Sequence, residues 1–123
     1  ADYLSNKKGV TQVIHPKYQQ GINKERAEKY LENGSGPLVG FELSGGLDSG
    51  KKFIDNLQLL YHVANIGDAR SLAIHPASTT HSQLNAEDQL RAGVTPGYIR
   101  LSVGIENIED IINDIDQAID KAK

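Results

Sequence analysis

Seven apolar residues near the C-terminus, Ile105, Ile108, Ile111, Ile112, Ile115, Ala118 and Ile119, recur at helical spacing. That pattern gathers them on one side of an α-helix, where a strand would scatter them over both faces. Asp and Glu fill the opposite side, so the helix must lie on the surface with its isoleucines against another layer. Asn107 stands at the N-cap position with Asp110 three residues on, and Lys121 and Lys123 sit where the helix dipole favours cations. The partner layer has to come from the preceding hundred or so residues.

Those residues read as strands and helices in alternation. Val10-Thr11-Gln12-Val13-Ile14 is β-branched and closed by the turn His15-Pro16. Leu38–Leu43, Tyr61–Ala64 and Tyr98–Val103 are three further apolar runs, and Gly40 inside the first of them implies close approach by a neighbour. Asp2–Lys8 resembles the tail of a helix. Asn23 to Leu31 forms a second helix, with Asn23 as N-cap, Ala27, Tyr30 and Leu31 on one side, and a stop at Asn33–Pro37. Leu47, Phe53, Ile54 and Leu57 mark a third, and Gly50 lies beside their stripe. Residues 67–96 make a long loop, functional or disordered, with a short helical turn at Ala86–Leu90 after Asn85. The expected fold is α+β: a small, mostly antiparallel sheet of about four strands with helices packed on one face.

Length and composition bound the function. The 123 residues suit one domain with a real core. A net charge of −3 gives no electrostatic reason for nucleic acid or an anionic membrane as partner. No apolar run approaches bilayer length and no signal-peptide pattern opens the chain. With no cysteine there is no disulfide, thiol nucleophile or thiolate metal site, which is compatible with a reducing cytoplasm. The first residue is Ala1, and Met and Trp are both missing. A piece cut from a longer polypeptide is the expectation these features raise.

Candidate chemistry is sparse. His75 and His81 sit in a loop with Ser78, Thr79 and Thr80, but no Gly-x-Ser-x-Gly elbow or familiar metal spacing accompanies them. Hydrogen-bonded anchors of the loop are the simpler reading. Ser44-Gly45-Gly46 opens a helix without the full spacing of a phosphate-binding motif. Arg100 is the sharper feature, a guanidinium inside the short strand Tyr98–Val103. It must reach a polar face, pair with an internal acid, or meet an anion from outside. Local chemistry leaves these open. Asn65, at the end of the preceding strand, could place an amide beside Arg100 if the two strands are neighbours. A planar fork with an amide donor suits a carboxylate. No general base or nucleophile accompanies them.

Three ordered blocks add a resemblance: Asn65-Ile66-Gly67-Asp68-Ala69-Arg70-Ser71-Leu72, His75-Pro76-Ala77-Ser78-Thr79-Thr80-His81, and Gly93-Val94 followed by Ile99-Arg100-Leu101-Ser102-Val103-Gly104-Ile105-Glu106. They resemble the C-terminal domain of the Cys/Met-metabolism pyridoxal-phosphate enzymes of fold type I. Asn65 with Thr79-Thr80 is most similar to the O-acetylhomoserine sulfhydrylase branch, whose relatives include methionine γ-lyase, cystathionine γ-synthase and cystathionine γ-lyase. The similarity spans essentially all of residues 1–123. It implies that Arg100 holds the α-carboxylate of an amino-acid substrate, that Asn65 is its polar partner, and that Thr80 faces the active-site mouth. It also implies pyridoxal 5'-phosphate as the cofactor, held by a separate domain of the same polypeptide in a cytoplasmic homo-oligomer, a homotetramer in the parent enzyme. The family's Schiff-base lysine lies in a Ser-x-Thr/Ala-Lys setting, and Lys7, Lys51 and Lys52 have no such context. No catalytic residue is therefore expected in this chain, and the isolated domain is expected to be inactive.

Overall fold

The computed structural model describes all 123 residues. Five strands, β1 (Val10–Ile14), β2 (Leu38–Leu43), β3 (Tyr61–His62), β4 (Leu72–Ile74) and β5 (Tyr98–Ser102), form one sheet in the order β1-β2-β5-β4-β3. All neighbours run antiparallel except β3 and β4, a short parallel pair at the edge. Five helices accompany it: α1 (Asp2–Asn6), α2 (Gly21–Tyr30), α3 (Gly46–Asn56), α4 (Ala86–Arg91) and α5 (Ile108–Lys121).

The register sorts side chains onto two faces. Phe41 pairs with Ile99 and Val39 with Leu101, and these alternate residues point into the core. There α3 and α5 close over the sheet, contributing Phe53, Ile54, Ile111, Ile115, Ala118 and Ile119. Phe41 and Phe53 meet edge to face, with ring centroids 5.5 Å apart and planes at 85°. From Ile111 onward the C-terminal stripe finds the partner layer its period demands, whereas Ile105, which precedes the helix, and Ile108 in its first turn are 86% and 61% exposed. Asn107 caps the helix by accepting from the N–H of Glu109. Asp114 is the polar exception on α5. Its carboxylate is buried and accepts three backbone N–H groups, from Gln58, Leu59 and Leu60, tying the segment that follows α3 to α5.

The fold class agrees with the sequence pattern, with differences in detail. A fifth strand, β4, lies inside the stretch read as a loop, and all three of its residues are buried. Leu72-Ala73-Ile74 is too short for alternation to reveal, and pairing with β5 is what makes it a strand. Helix α2 begins at Gly21, so Asn23 lies inside the first turn and Gln20 occupies the N-cap without a side-chain bond. It buries no residue, and Tyr30 is 70% exposed. Lacking a continuous apolar stripe, α2 is free to lie against the other face of the sheet. Gly50 serves the core: a Cβ there would stand 2.3 Å from Nε2 of the buried His75.

Candidate functional site

On the face away from the core, Arg100 stands at the centre of the sheet, opposite Gly40 of β2 and Ile74 of β4. Gly40 is bare because the Tyr98 ring leans over it; a Cβ there would meet Tyr98 Cε2 at 2.7 Å. Burial raises the pKa of the Tyr98 hydroxyl, against the lowering influence of Arg100, so the ring stays a neutral phenol at pH 7. Beside these residues lies a cavity of about 380 Å³, bounded by the sheet, the 3-10 turn Pro16–Tyr18 and α2. His15, Gln19 and Asn23 add polar groups to its wall, while Ile14, Leu38 and Ala27 add apolar ones.

The partners of Arg100 decide among the readings left open by the sequence. Nη2 donates to the carbonyl of Ala64 at 2.6 Å and, at 3.4 Å, to that of Asn65. Nε is buried and has no partner. None of the eight ion-pair contacts in the chain involves Arg100, so the internal Arg–carboxylate pair is not formed. Two backbone dipoles orient the cation without neutralising it. A guanidinium left charged, partly desolvated and with an unused donor has the chemistry to accept an anion.

The neighbour relation expected between the strands of Asn65 and Arg100 is not met, because β4 lies between β3 and β5. Two strand spacings, roughly 10 Å, exceed what a side chain spans comfortably. The backbone closes the gap by curling back after His62 until its carbonyls reach Arg100. Asn65 is therefore at the site through its main chain, and its exposed side chain makes no protein hydrogen bond. Thr80 lies just beyond the 3-10 turn Pro76–Ser78, exposed, with Oγ1 2.9 Å from His81 Nδ1. It does not line the Arg100 cavity.

The histidines divide by environment. His75 is fully buried, its Nε2–H donating to the carbonyl of Pro96 at 2.7 Å and its Nδ1 2.8 Å from Ser78 Oγ. Burial lowers its pKa, outweighing the opposing Pro96 bond, and the ring anchors this segment as a neutral group. His15 accepts the Lys17 N–H at Nδ1, 3.2 Å away, and burial with the nearby N-terminal amine lowers its pKa too. The proton of neutral His15 thus sits on Nε2, at the cavity wall. Reading the sequence missed His15, Gln19, Asn23 and Tyr98 as neighbours of Arg100. Gly40 was the available signal, since it marked where something had to approach the sheet.

Two further features bear on cofactor binding. The turn Ser44–Gly46 is not an open cradle, because a Cβ on Gly45 would sit 2.0 Å from Ser49 Oγ, which itself donates to the carbonyl of Ala122. No lysine lines the Arg100 cavity. Lys7, the most buried lysine among the ion pairs, is engaged with Asp116 and Asp120.

The chain is similar to known proteins over nearly its whole length. The family described as Cys/Met metabolism PLP-dependent enzyme matches residues 1–120. O-acetyl-L-homoserine sulfhydrylase of Leptospira meyeri is 52% identical over 120 residues, covering 97% of this chain and 27% of that protein. L-methionine gamma-lyase of Fusobacterium nucleatum is 40% identical over 120 residues, covering 98% of this chain and 30% of the relative. A solved structure of a putative O-acetylhomoserine (thiol)-lyase from Campylobacter jejuni superposes with a TM-score of 0.87 at 39% identity, covering 98% of this chain and 28% of its own. That structure holds a pyridoxyl-lysine monophosphate. The chain spans under a third of the length of these relatives.

Proposed function

We propose, for a chain that belongs to the Cys/Met metabolism family of PLP-dependent enzymes, that it is the C-terminal, substrate-gripping domain of an O-acetyl-L-homoserine sulfhydrylase. The reaction replaces acetate on O-acetyl-L-homoserine by sulfide: the Cγ–O bond breaks, a Cγ–S bond forms, and L-homocysteine and acetate leave. Arg100 binds the α-carboxylate, and its unpaired charge with the orphaned Nε is the observation that carries the reading. Asn65 meets Arg100 through its carbonyl, and its side-chain amide, free of protein partners, is the second donor of this reading; Thr80, outside the Arg100 cavity, belongs to the mouth that the rest of the polypeptide completes. Higher identity to a sulfhydrylase than to a γ-lyase favours sulfide transfer over elimination.

The family depends on pyridoxal phosphate. The residues of this chain do not fit that group, since the Arg100 cavity contains no lysine and the glycine-rich helix start is filled by Ser49. The chain's share of the work is to hold and orient the amino acid, and the cofactor is held by the PLP-binding domain of the same polypeptide. Residues 1–123 act as one domain there, within a cytoplasmic homo-oligomer. No helix is long and apolar enough to cross a membrane.

Arg100→Lys tests the grip. Lysine keeps the charge and loses the fork, so KM for O-acetyl-L-homoserine should rise at least about tenfold in the full product of the encoding reading frame. An unchanged KM would refute the assignment.

A further inference from the structure

The loop that holds Arg100 is itself held by the same strand. After β3 the chain turns back over β4 and touches β5 twice. The carbonyls of Ala64 and Asn65 take Nη2 of Arg100, and the N–H of Gly67 donates to Ser102 Oγ at 3.0 Å. Arg100 and Ser102 are two residues apart on β5 and therefore share a face. Ser102 is only 1% exposed, and the Gly67 N–H is the one hydrogen-bond partner of its hydroxyl. Gly67 adopts φ +78°, the left-handed turn that aims its N–H back at the strand. Farther along, Ser71 receives the Gly104 N–H at its hydroxyl and gives its own N–H and O–H to Glu106. That staple secures the end of the loop, several residues from the carbonyls that matter.

We infer that Ser102 is a positioning residue for Arg100: its hydroxyl pins Gly67 and so sets where the Ala64 and Asn65 carbonyls hold the guanidinium. The inference rests on the carboxylate-binding reading of Arg100. Without the pin, Arg100 itself is the loop's remaining hydrogen-bonded contact with β5, and the next tie along the chain is the Ala69 carbonyl, which accepts the Ile105 N–H at 2.9 Å, so Nη2 loses a defined direction. The fork then points over a range of angles, and two-point recognition of a carboxylate weakens while the charge remains.

The test uses the full product of the encoding reading frame with L-norleucine, which has the substrate's approximate length and no leaving group, and its carboxamide, L-norleucinamide. The ratio of their affinities reads the carboxylate contact. Ser102→Ala should lower that ratio about fivefold, the effect of one ordinary hydrogen bond. In an Arg100→Ala background it should lower it no further. Ser49→Ala, which removes a buried serine contact on the core side, should reduce the melting temperature and leave the ratio alone. Equal weakening of acid and amide by Ser102→Ala, or full additivity with Arg100→Ala, overturns the positioning role and leaves the Arg100 reading standing. An Arg100→Ala protein that keeps the ratio overturns both. If Ser102→Ala does not fold, amide exchange at Gly67 in the unaltered protein decides. Protection that increases with L-norleucine supports the pin, and exchange at the rate of an open loop refutes it.

Discussion

The two faces of the sheet are built to opposite rules. The core face is filled: Phe41, Phe53, Ile99 and Ala118 are fully buried and two helices cover them. The other face carries a bare glycine, a leaning tyrosine, an unneutralised arginine and a cavity under a helix that buries nothing. Packing stabilises the first, whereas the second leaves open space and an unneutralised charge, at some expense of stability. Alternation along β2 and β5 is what lets one five- or six-residue strand serve both ends.

The widest separation between the faces should appear in large-to-small substitutions. Phe41→Ala should cost about 3–5 kcal/mol in equilibrium unfolding. Leu38→Ala, three residues away on the other face and 38% exposed, should cost under about 1 kcal/mol. Similar losses at both positions would break the comparison. The two tight glycines come next. Gly50→Ala drives a methyl into the fully buried His75 and should destabilise by about 1–3 kcal/mol. Gly40→Ala displaces the Tyr98 ring, which borders the cavity and can swing into it. It should leave the melting temperature nearly unchanged and raise the substrate KM.

Acidification probes His75 with a smaller effect. Its pKa is about 6.5 in the unfolded chain and lower in the fold because of burial, so the unfolded state takes up the proton first. Stability from the neutral ring is complete above pH 6.5 and declines as the pH falls from there toward the folded value. His15 adds to this in the same direction. Asp2, Asp68, Asp120 and Glu106, whose pKa values are lowered by their hydrogen bonds, should act only at more acid pH. A melting temperature that stays flat from about pH 8 to about pH 5 would contradict the buried, neutral assignment of His75. Tyr30→Ala on α2 should move stability by less than about 0.5 kcal/mol, the smallest change of the set.

Much of the core was legible in the sequence because burial imposes a period. The α5 stripe from Ile111 onward, the core-facing residues of β2 and β5, and the Phe53–Ile54 side of α3 follow it, while β1, at the sheet edge, was legible from its β-branched residues and buries none of them. Helix α2 was legible as an element, but it starts at Gly21 rather than after an Asn23 cap, and the side expected to pack buries nothing. Strand β4 alone escaped, because three residues are too short to show a period. Arg100 stood out because charge inside an apolar run needs an explanation, and resemblance to the family supplied its expected role.

Local chemistry along the chain thus determined most of the buried positions on α3 and α5, where α5 starts, and that Arg100 required a partner. It could not determine which partner. That choice depended on the sheet order, with β4 entering between β3 and β5, and on a loop that returns over it to meet Arg100 and Ser102. Periodicity reports the environment of each residue one segment at a time. Contacts between residues 36 and 35 positions apart, as Ala64 and Gly67 are from their partners, exist only once the whole sheet has assembled.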